Sequence, residues 1–321
     1  MLNQALEAFG QAQTLLLQAK RVVIIAHRNP DADAVGSNLA MREVLESLGK
    51  EVISACMDPI PESCRFLRKA ETFVQDFDST LVDLVITQDC GGHKVMGFHE
   101  KKPELLDRTK MKLLNIDHHP SNDYFGTVNI VMPEAPATCF ILFLMFASYS
   151  WPITPTMATA LFHGLSYDTG SFMHSNVTAD CLRVGARLKA LGADLEKSVK
   201  EQFHTASIPK LRLWGRALSR VELNDKNAVV TAVTEQDYRD ENANLDDLSG
   251  LVTYLSHVPQ TKFGMLLTED FKGNIKGSLR TQDETIDLTK ITALFGGGGH
   301  KKASGFTIPG RLVEKRTWSI T

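Results

Sequence analysis

The chain has 321 residues, a length that predicts two domains because a single hydrophobic core rarely grows so large. With 43% hydrophobic and 23% charged residues, its composition is that of a globular protein and excludes a disordered chain. A net charge of −3 excludes a general basic field for long duplex nucleic acid, so any phosphate recognition must be local.

Residues 1–20 predict an amphipathic helix and not a signal peptide, because no basic segment precedes an apolar one. The apolar stretch 137–151 is short for a membrane span, so we expect a buried helix and no membrane association. The five cysteines lack CxxC spacing, which indicates reduced thiols and a cytoplasmic protein.

Strands and helices alternate along residues 1–191, which predicts a parallel α/β sheet. Aliphatic runs predict strands at 21–26, 52–56, 82–87, 112–116 and 127–131. Apolar residues at helical spacing predict helices at 34–48, 135–149, 156–165 and 178–191.

The pattern changes after residue 191. Residues 192–208 predict a solvated helical linker, with Pro209 beyond it as a breaker. Residues 209–321 predict a smaller α+β domain, with strands near 227–233, 263–267 and 274–279 and helices near 248–257 and 288–294.

Acidic and histidine side chains follow three predicted strands and one apolar helix. They are His27, Asp31, Asp33, Asp89, Asp117, His118, His119 and Asp168. Sites in open α/β sheets lie beyond the carboxyl ends of the strands, so we expect these side chains to converge. Crowded carboxylates stay ionised only beside cations, and oxygen with imidazole ligands suits Mn²⁺ or Mg²⁺. Two such ions about 3.5–4 Å apart with one bridging carboxylate would suit phosphoester hydrolysis.

Each motif alone also has a simpler explanation. Asp33 could cap the following helix, and Asp31 could lie in a turn. Asp89 could end its strand in an Asx turn, and Asp168 could cap its helix. The metal-site hypothesis therefore depends on the combination.

Two segments of the second domain predict phosphate contacts. Four glycines before His300 allow backbone N–H groups to surround a phosphate, although a flexible hinge is the simpler alternative. Ser278 and Arg280 share one face of a strand, and a guanidinium can donate two hydrogen bonds to a phosphate; the simpler alternative is a surface arginine. The candidate substrate-binding residues are Ser278, Arg280, Gly297, Gly298, Gly299 and His300.

The four motifs in this order, with the glycine-rich segment, resemble those of the DHH phosphoesterase superfamily and its C-terminal associated domain, from about residue 20 to 308. The chain is most similar to the NrnA-type oligoribonucleases, which also dephosphorylate pAp. The resemblance implies a parallel-sheet DHH catalytic domain at 1–191, a linker at 192–208 and a substrate-binding domain at 209–321. It also implies an active site in the interdomain cleft.

The resemblance implies a role for each matching residue. One metal ion would be held by His27, Asp31 and Asp89. The other would be held by Asp33, Asp89, His118 and Asp168. Asp117 would orient an imidazole, and His119 would contact the phosphate or assist proton transfer to the leaving oxygen. Ser278 and Arg280 would bind the terminal phosphate or base.

We therefore expect a hydrolase with two divalent cations, Mn²⁺ preferred and Mg²⁺ acceptable, that degrades very short RNA from a chain end to mononucleotides and converts pAp to AMP. The open alternatives are a phosphodiesterase for linear dinucleotides such as pApA, a manganese pyrophosphatase and a non-catalytic binder of short RNA. The expected partners are short RNA and nucleotides, without membranes or long duplex nucleic acid, and a homodimer stays open. No role is predicted for His93-Lys94 or Met173-His174.

Overall fold

The computed structural model describes residues 2–203 and 207–313, and the chain divides into two compact units between residues 205 and 206. The first unit contains a five-stranded parallel sheet. Its strands are β1 (Arg21–Ala26), β2 (Glu51–Ala55), β3 (Leu84–Gln88), β4 (Lys112–Asp117) and β5 (Val128–Val131). They lie in the order β2-β1-β3-β4-β5, so the predicted α/β fold class is confirmed.

Helices connect and cover these strands. They are α1 (Leu2–Gln18), α2 (Ala32–Ser47), α3 (Thr138–Ser148), α4 (Pro155–Asp168), α5 (Ala179–Ala190) and α6 (Leu195–Phe203). Short 3₁₀ helices lie at Glu62–Cys64, Ala70–Thr72, Ser79–Leu81, His93–Met96, Phe98–Glu100 and Pro103–Leu106. Helix α6 lies inside the segment predicted as a helical linker.

The sheet is buried on both faces, as its continuous aliphatic strands predict. Ile24, Ile86 and Leu114 belong to the hydrophobic cluster on one face. Val23 and Val85 belong to the separate cluster on the other face. Because both faces are covered, the carboxyl edge of the sheet is where β1, β3 and β4 present polar side chains.

Helices α2 and α4 pack closely because each carries a glycine at the contact. A Cβ atom on Gly36 would lie 2.4 Å from the backbone oxygen of Ala160. A Cβ atom on Gly164 would lie 2.9 Å from the Cα atom of Asp33. The two missing side chains therefore bring Asp33 close to the helix that ends at Asp168.

The second unit contains a six-stranded mixed sheet in the order β10-β11-β9-β8-β7-β6, in which only β7 and β8 pair in parallel. The strands are β6 (Glu222–Leu223), β7 (Ala228–Val233), β8 (Phe263–Glu269), β9 (Asn274–Arg280), β10 (Gly298–His300) and β11 (Ala303–Pro309). The helices are α7 (Ile208–Ser219), α8 (Glu235–Glu241), α9 (Leu251–Leu255) and α10 (Thr289–Thr292), with 3₁₀ helices at Leu245–Leu248 and Ala293–Phe295. The predicted α+β character of this unit is confirmed.

Two local predictions for the second unit were wrong, and the glycine-rich segment has more regular structure than its composition indicates. Pro209 does not break a helix but lies in the first turn of α7, where its missing N–H has no helical partner to lose. The helix predicted at 248–257 is interrupted at Gly250, which has a φ of 91°. The glycine-rich segment is not only a loop, since Gly298–His300 forms an edge strand against β11.

Among the described helices, none is both long and apolar enough to cross a membrane. The most apolar of them, α3, has 11 residues, eight of them buried, as expected of a core helix. All five cysteines are free and buried, in agreement with the prediction of reduced thiols.

The close approach of α2 and α4 is testable with two Gly→Ala substitutions. Gly36→Ala places a methyl group against the backbone of α4 and should destabilise the fold by about 1–3 kcal/mol through overpacking. Gly10→Ala in α1 is the control, because a Cβ atom there meets nothing within 4 Å and a better helix former should be neutral or slightly stabilising. Urea unfolding followed by circular dichroism measures both, and equal stabilities would contradict the packing argument.

His163 in α4 is fully buried beside the ring of Phe66, and neither of its ring nitrogens has a hydrogen-bond partner within the described residues. Burial lowers the pKa of His163 to about 4 and outweighs the backbone of Ser63 and Ser198, which acts in the opposite direction. The neutral ring therefore favours the folded state above the unfolded pKa of about 6.5.

This burial predicts a loss of stability in acid. As the pH falls from about 6.5 to about 4, protonation of His163 in the unfolded chain should remove about 3 kcal/mol of unfolding free energy. Between pH 7 and pH 4, the unfolding free energy of His163→Leu should therefore fall by about 3 kcal/mol less than that of wild type. Urea unfolding in EDTA measures this difference. The control is His257→Leu at an exposed position, and identical pH dependence in wild type and His163→Leu would refute the assignment.

Candidate metal centre and active site

Three neighbouring strands deliver the candidate residues to one edge of the first sheet. His27 follows β1, Asp89 follows β3, and Asp117 ends β4 with two histidines after it. Asp89 has a φ of 58°, a left-handed conformation that costs a non-glycine residue on the order of 1 kcal/mol. Its N–H donates to the carbonyl of Ile116 at 3.0 Å, which anchors the turn to β4.

Asp89 lies at the centre of the cluster and is almost completely buried. Its Oδ2 is 3.4 Å from Nε2 of His27, and its Oδ1 is 3.3 Å from Nε2 of His118. The hydroxyl of Thr138, which the sequence analysis did not identify, donates to Oδ1 at 3.3 Å. Both oxygens of Asp89 therefore face histidine side chains from different strands.

Asp31 and Asp33 each perform a structural role as well. Oδ1 of Asp31 caps α2 by accepting the N–H groups of Asp33 and Ala34, at 2.9 and 3.1 Å. Asp33 caps α3 and not its own helix, since its two oxygens accept the N–H groups of Thr138 and Cys139 at 2.6 and 2.9 Å. This contact explains why α3 begins at Thr138, whereas the sequence predicted a helix from residue 135.

The ring nitrogens of two histidines are oriented by backbone carbonyls. Nδ1 of His27 is 2.8 Å from the oxygen of Arg28, and Nδ1 of His118 is 3.3 Å from the oxygen of Ala135. Carbonyl oxygens only accept, so Nδ1 carries the proton and the Nε2 lone pair is directed into the cluster. Nε2 of His118 also lies 3.2 Å from Oδ2 of Asp168.

The carboxylates of the cluster favour positively charged neighbours, as the pKa values of the histidines indicate. Burial lowers the pKa of His27, but Asp31 and Asp89 outweigh it and raise this pKa to about 11. Burial likewise opposes Asp168 and Asp89 at His118, whose pKa rises to about 12. Burial and the charge of Asp89 raise the pKa of Asp33 to about 7.

Asp89 and Asp168 differ in their ionisation. Burial opposes ionisation of Asp89, but the neighbouring histidines hold its pKa well below its usual value. Burial, together with the charge of Asp33, holds the pKa of Asp168 well above its usual value. Ion pairs of these two carboxylates, among the described residues, involve only histidines, so no lysine or arginine supplies the charge.

The cluster fits divalent cations. Three groups of candidate ligand atoms each lie within 4.8 Å of one another, and Asp89 belongs to all three. The groups are His27, Asp31 and Asp89; Asp33, Asp89, His118 and Asp168; and Asp89, His118 and His119. Carboxylate oxygens with imidazole nitrogens suit Mn²⁺ or Mg²⁺. The structure thus brings together all six residues expected to bind metal.

Asp117 and His119 form a separate hydrogen-bonded pair beside the cluster. Nδ1 of His119 lies 2.8 Å from Oδ1 of Asp117, and this hydrogen bond raises the pKa of His119. The other oxygen of Asp117 accepts from the amide of Asn122 at 2.6 Å, and that amide also donates to the carbonyl of Cys90. Asn122 therefore links the loop after β4 to the loop after β3.

Sequence reasoning missed Asn122, but one signal pointed toward it. Asn115 is a fully buried polar residue within an aliphatic strand, and its amide donates to Asn122 at 2.9 Å. A polar residue in such a strand needs a partner near the strand end. Thr138 gave no comparable signal, because a threonine at a helix start is ordinary.

The segment after Asp168 is held against that residue. Nδ1 of His174 lies 3.2 Å from the Asp168 carbonyl oxygen, and the amide of Asn176 donates to the same oxygen at 3.3 Å. Gly170, Ser171 and Phe172 all have positive φ angles, so the chain turns in a left-handed manner. His174, for which the sequence predicted no role, thus contacts the backbone of a candidate ligand.

The second unit brings Ser278 and Arg280 to one cavity of about 440 Å³ on the face of its sheet. Lys276 and Thr307 line the same cavity. The Arg280 guanidinium donates to the carbonyl of Leu279 and forms no ion pair with a carboxylate in the described part of the chain. Burial lowers the pKa of Arg280, so a ligand anion would stabilise its charge.

The glycine-rich segment has a packing reason for two of its glycines. A Cβ atom on Gly297 would lie 2.2 Å from the backbone oxygen of Gly305. Gly299 has a φ of 141°, and its Cβ atom would lie 2.6 Å from the Ala303 oxygen. All three residues of the edge strand are exposed, and a Cβ atom on Gly298 would meet nothing within 4 Å. Close pairing with β11 therefore explains why positions 297 and 299 require glycine, and a bound ligand is not needed to explain it.

The sequence matches two family models, "DHH family, N-terminal domain" over residues 21–165 and "DHHA1 domain" over residues 225–317. A bifunctional oligoribonuclease and PAP phosphatase NrnA from Thermus thermophilus is 32% identical over 302 residues, covering 92% of this chain and 86% of that protein. An exopolyphosphatase-related protein from Bacteroides fragilis shares the fold, with a TM-score of 0.87, 23% identity and coverage of 95% and 92% of the two chains. RecJ from Thermus thermophilus in complex with Mn²⁺ shares it more distantly, with a TM-score of 0.54, 16% identity and coverage of 94% and 51%.

The shared position of Asp89 predicts a metal-dependent gain in stability. At a Mn²⁺ concentration about 100 times its dissociation constant, binding to the folded state should add about 2.7 kcal/mol and raise the melting temperature by several degrees. Asp89→Asn should lose most of this rise, because every candidate group contains Asp89. The control is Asp225→Asn at an exposed turn. A full Mn²⁺ response in Asp89→Asn, measured by differential scanning fluorimetry, would rule out the shared site.

Proposed function

The chain belongs to the DHH family of phosphoester hydrolases, and from that membership we propose that it degrades very short RNA from a chain end to mononucleotides and dephosphorylates pAp to AMP. The observation that supports this most is the placement of Asp89, which is shared by every group of candidate ligands at the sheet edge. The two activities named for the Thermus thermophilus relative support the substrate assignment.

We propose two divalent cations at this edge, with Mn²⁺ preferred and Mg²⁺ acceptable. His27 and Asp31 would hold one ion, Asp33, His118 and Asp168 the other, and Asp89 would bridge them. Burial raises the pKa of the nearby Cys90 and Cys139 thiols well above their usual value, so neither supplies a thiolate that would select zinc. When bound, such ions lower the pKa of water and neutralise charge on the phosphoryl oxygens.

His119 is proposed to act on the substrate directly. Its Nδ1 is held by Asp117, so Nε2 is the nitrogen that can donate to a phosphate oxygen or give a proton to the leaving oxygen. The raised pKa of His119 keeps the ring protonated over a wider pH range, which favours this donor role. Asp117 orients the ring and, in turn, is fixed by Asn122.

Ser278 and Arg280 are proposed to bind the terminal phosphate of the substrate, with His300 as a further hydrogen-bond donor. The guanidinium has five N–H donors in a fixed plane, and in the described residues only the Leu279 carbonyl occupies one of them. Gly298 offers an open backbone at the exposed edge of the sheet. We assign Gly297 and Gly299 a supporting role, since their packing against β11 holds this edge in place.

Short substrates suit the charge of the chain. Its net charge of −3 provides no general field for a long strand, so binding depends on a few local cations. We therefore propose that oligonucleotides of a few residues are preferred over long or duplex nucleic acid. The five buried free thiols support a cytoplasmic location, where such thiols stay reduced.

The proposal is tested with one substrate panel in Mn²⁺: pAp, RNA of two to ten nucleotides, pApA and pyrophosphate. Wild type should hydrolyse pAp and the shortest RNA fastest. Asp33→Ala should lose about 10²–10³-fold in kcat/KM, because the site loses a buried ligand and electrostatic stabilisation of this kind is usually the largest catalytic term. Asp225→Asn serves as the matched surface control.

Two outcomes would overturn the assignment. Rapid turnover of pyrophosphate without nucleotide hydrolysis would move the chain to another substrate class. Hydrolysis that is unchanged in Asp33→Ala would show that the cluster is not the reaction centre.

A further inference from the structure

His93 and Asp123 form a second imidazole–carboxylate pair outside the candidate metal cluster. Nδ1 of His93 is 2.5 Å from Oδ2 of Asp123, and the backbone N–H of His93 donates to Oδ1 at 3.3 Å. The ring lies edge-on to His99 and Phe125, with centroids 5.5 and 6.3 Å away. The ring is thereby fixed on several sides, while Nε2 has no hydrogen-bond partner in the part of the chain that is described.

A capping interaction is the simplest account of Asp123, because its carboxylate receives the first N–H of the 3₁₀ helix His93–Met96. That role does not require the imidazole contact. It also does not explain why the partly exposed ring of His93 is held in one orientation. The adjacent Lys94 forms no ion pair within the described residues. The position of the pair supplies the further observation.

Asp123 lies on the loop after β4, which also carries His119, and His93 lies on the loop after β3. The loop after β4 is joined to the loop after β3 by Asn122, which contacts the Cys90 carbonyl, and by the hydroxyl of Ser121, which is 3.5 Å from the Gly91 carbonyl. A Cβ atom on Gly91 would lie 3.2 Å from Cβ of His119. His93 is two residues further on, so its Cα lies within about 7 Å of the Gly91 Cα.

Gly91 and Gly92, which precede His93, have no side chains to cover the backbone near His119. A side chain on Gly91 would contact His119 and Ser121, and one on Gly92 would approach the Asp123 carboxylate at 3.7 Å. Gly91 and Gly92 themselves therefore place no side chain beside His119 and Asp123. An imidazole N–H donor with an adjacent lysine ammonium group suits a phosphate anion.

We propose that His93, positioned by Asp123 and assisted by Lys94, binds the phosphate one nucleotide beyond the scissile phosphate, on the side away from the terminal phosphate, and so determines preference for oligonucleotides over pAp. The inference rests on the proposed function. A molecule of pAp has two phosphates, one to be cleaved and one assigned to Arg280. A trinucleotide has a further phosphate, and we assign it to the His93 imidazole and the Lys94 ammonium group.

The test compares kcat and KM for a 5′-phosphorylated RNA trinucleotide and for pAp in wild type, His93→Ala, Lys94→Ala and Asp123→Asn. His93→Ala should lose about 10-fold or more in kcat/KM on the trinucleotide relative to pAp, mainly through KM, and Asp123→Asn should change in the same direction by less. His257→Ala is the matched control at an exposed histidine.

Salt dependence provides a second measurement that a purely structural role would not change. For single strands, each lost phosphate contact lowers the slope of log KM against log salt concentration by about 0.7. Lys94→Ala should show this reduction with the trinucleotide and not with pAp. Melting temperatures establish whether each variant is folded.

The results separate the two levels of the hypothesis. Wild type that hydrolyses neither substrate refutes the proposed function. Wild type that hydrolyses both, with equal losses on the two substrates in His93→Ala or with no loss, overturns only the role of His93. A selective loss on the trinucleotide with the reduced salt slope supports it.

Discussion

Mutual repulsion among buried carboxylates is the constraint on which the first unit depends. Asp33 and Asp89 are almost fully buried, Asp168 is nearby, and the ion pairs of Asp89 and Asp168 in the described residues come only from histidines. Each side chain is held from a different element, so the cluster cannot relax by moving one loop. The fold thus concentrates negative charge that cations resolve, and such a site suits a reaction in which phosphoryl charge must be neutralised.

The elements around the cluster serve this arrangement at some cost to their own stability. The left-handed backbone at Asp89 turns its carboxylate between two histidines, although a non-glycine residue is strained there. Gly36 and Gly164 weaken their helices but allow α2 and α4 to approach. The N-terminus of α3 offsets part of the cost, because its N–H groups and dipole stabilise the Asp33 carboxylate.

The sequence was sufficient for features that depend on local pattern. Aliphatic strands ending in His27, Asp89 and Asp117 predicted a parallel sheet and the convergence of its polar tips, since strand ends share one edge. The sequence was insufficient where a contact between segments distant along the chain determines the local structure. The pairing of β10 with β11, the role of Asn122 and the contact of His93 with Asp123 join segments that no periodicity relates. Pro209 misled for a related reason, because a proline suits both the end and the start of a helix.

The central proposal is that Asp89 would bridge two metal ions at the carboxyl edge of the sheet. Anomalous diffraction at the manganese edge, from crystals of the wild-type protein grown with Mn²⁺, measures this directly. The account predicts two peaks about 3.5–4 Å apart, both within bonding distance of Asp89, with His27 beside one and His118 beside the other. A single peak, or two peaks of which only one contacts Asp89, would contradict it.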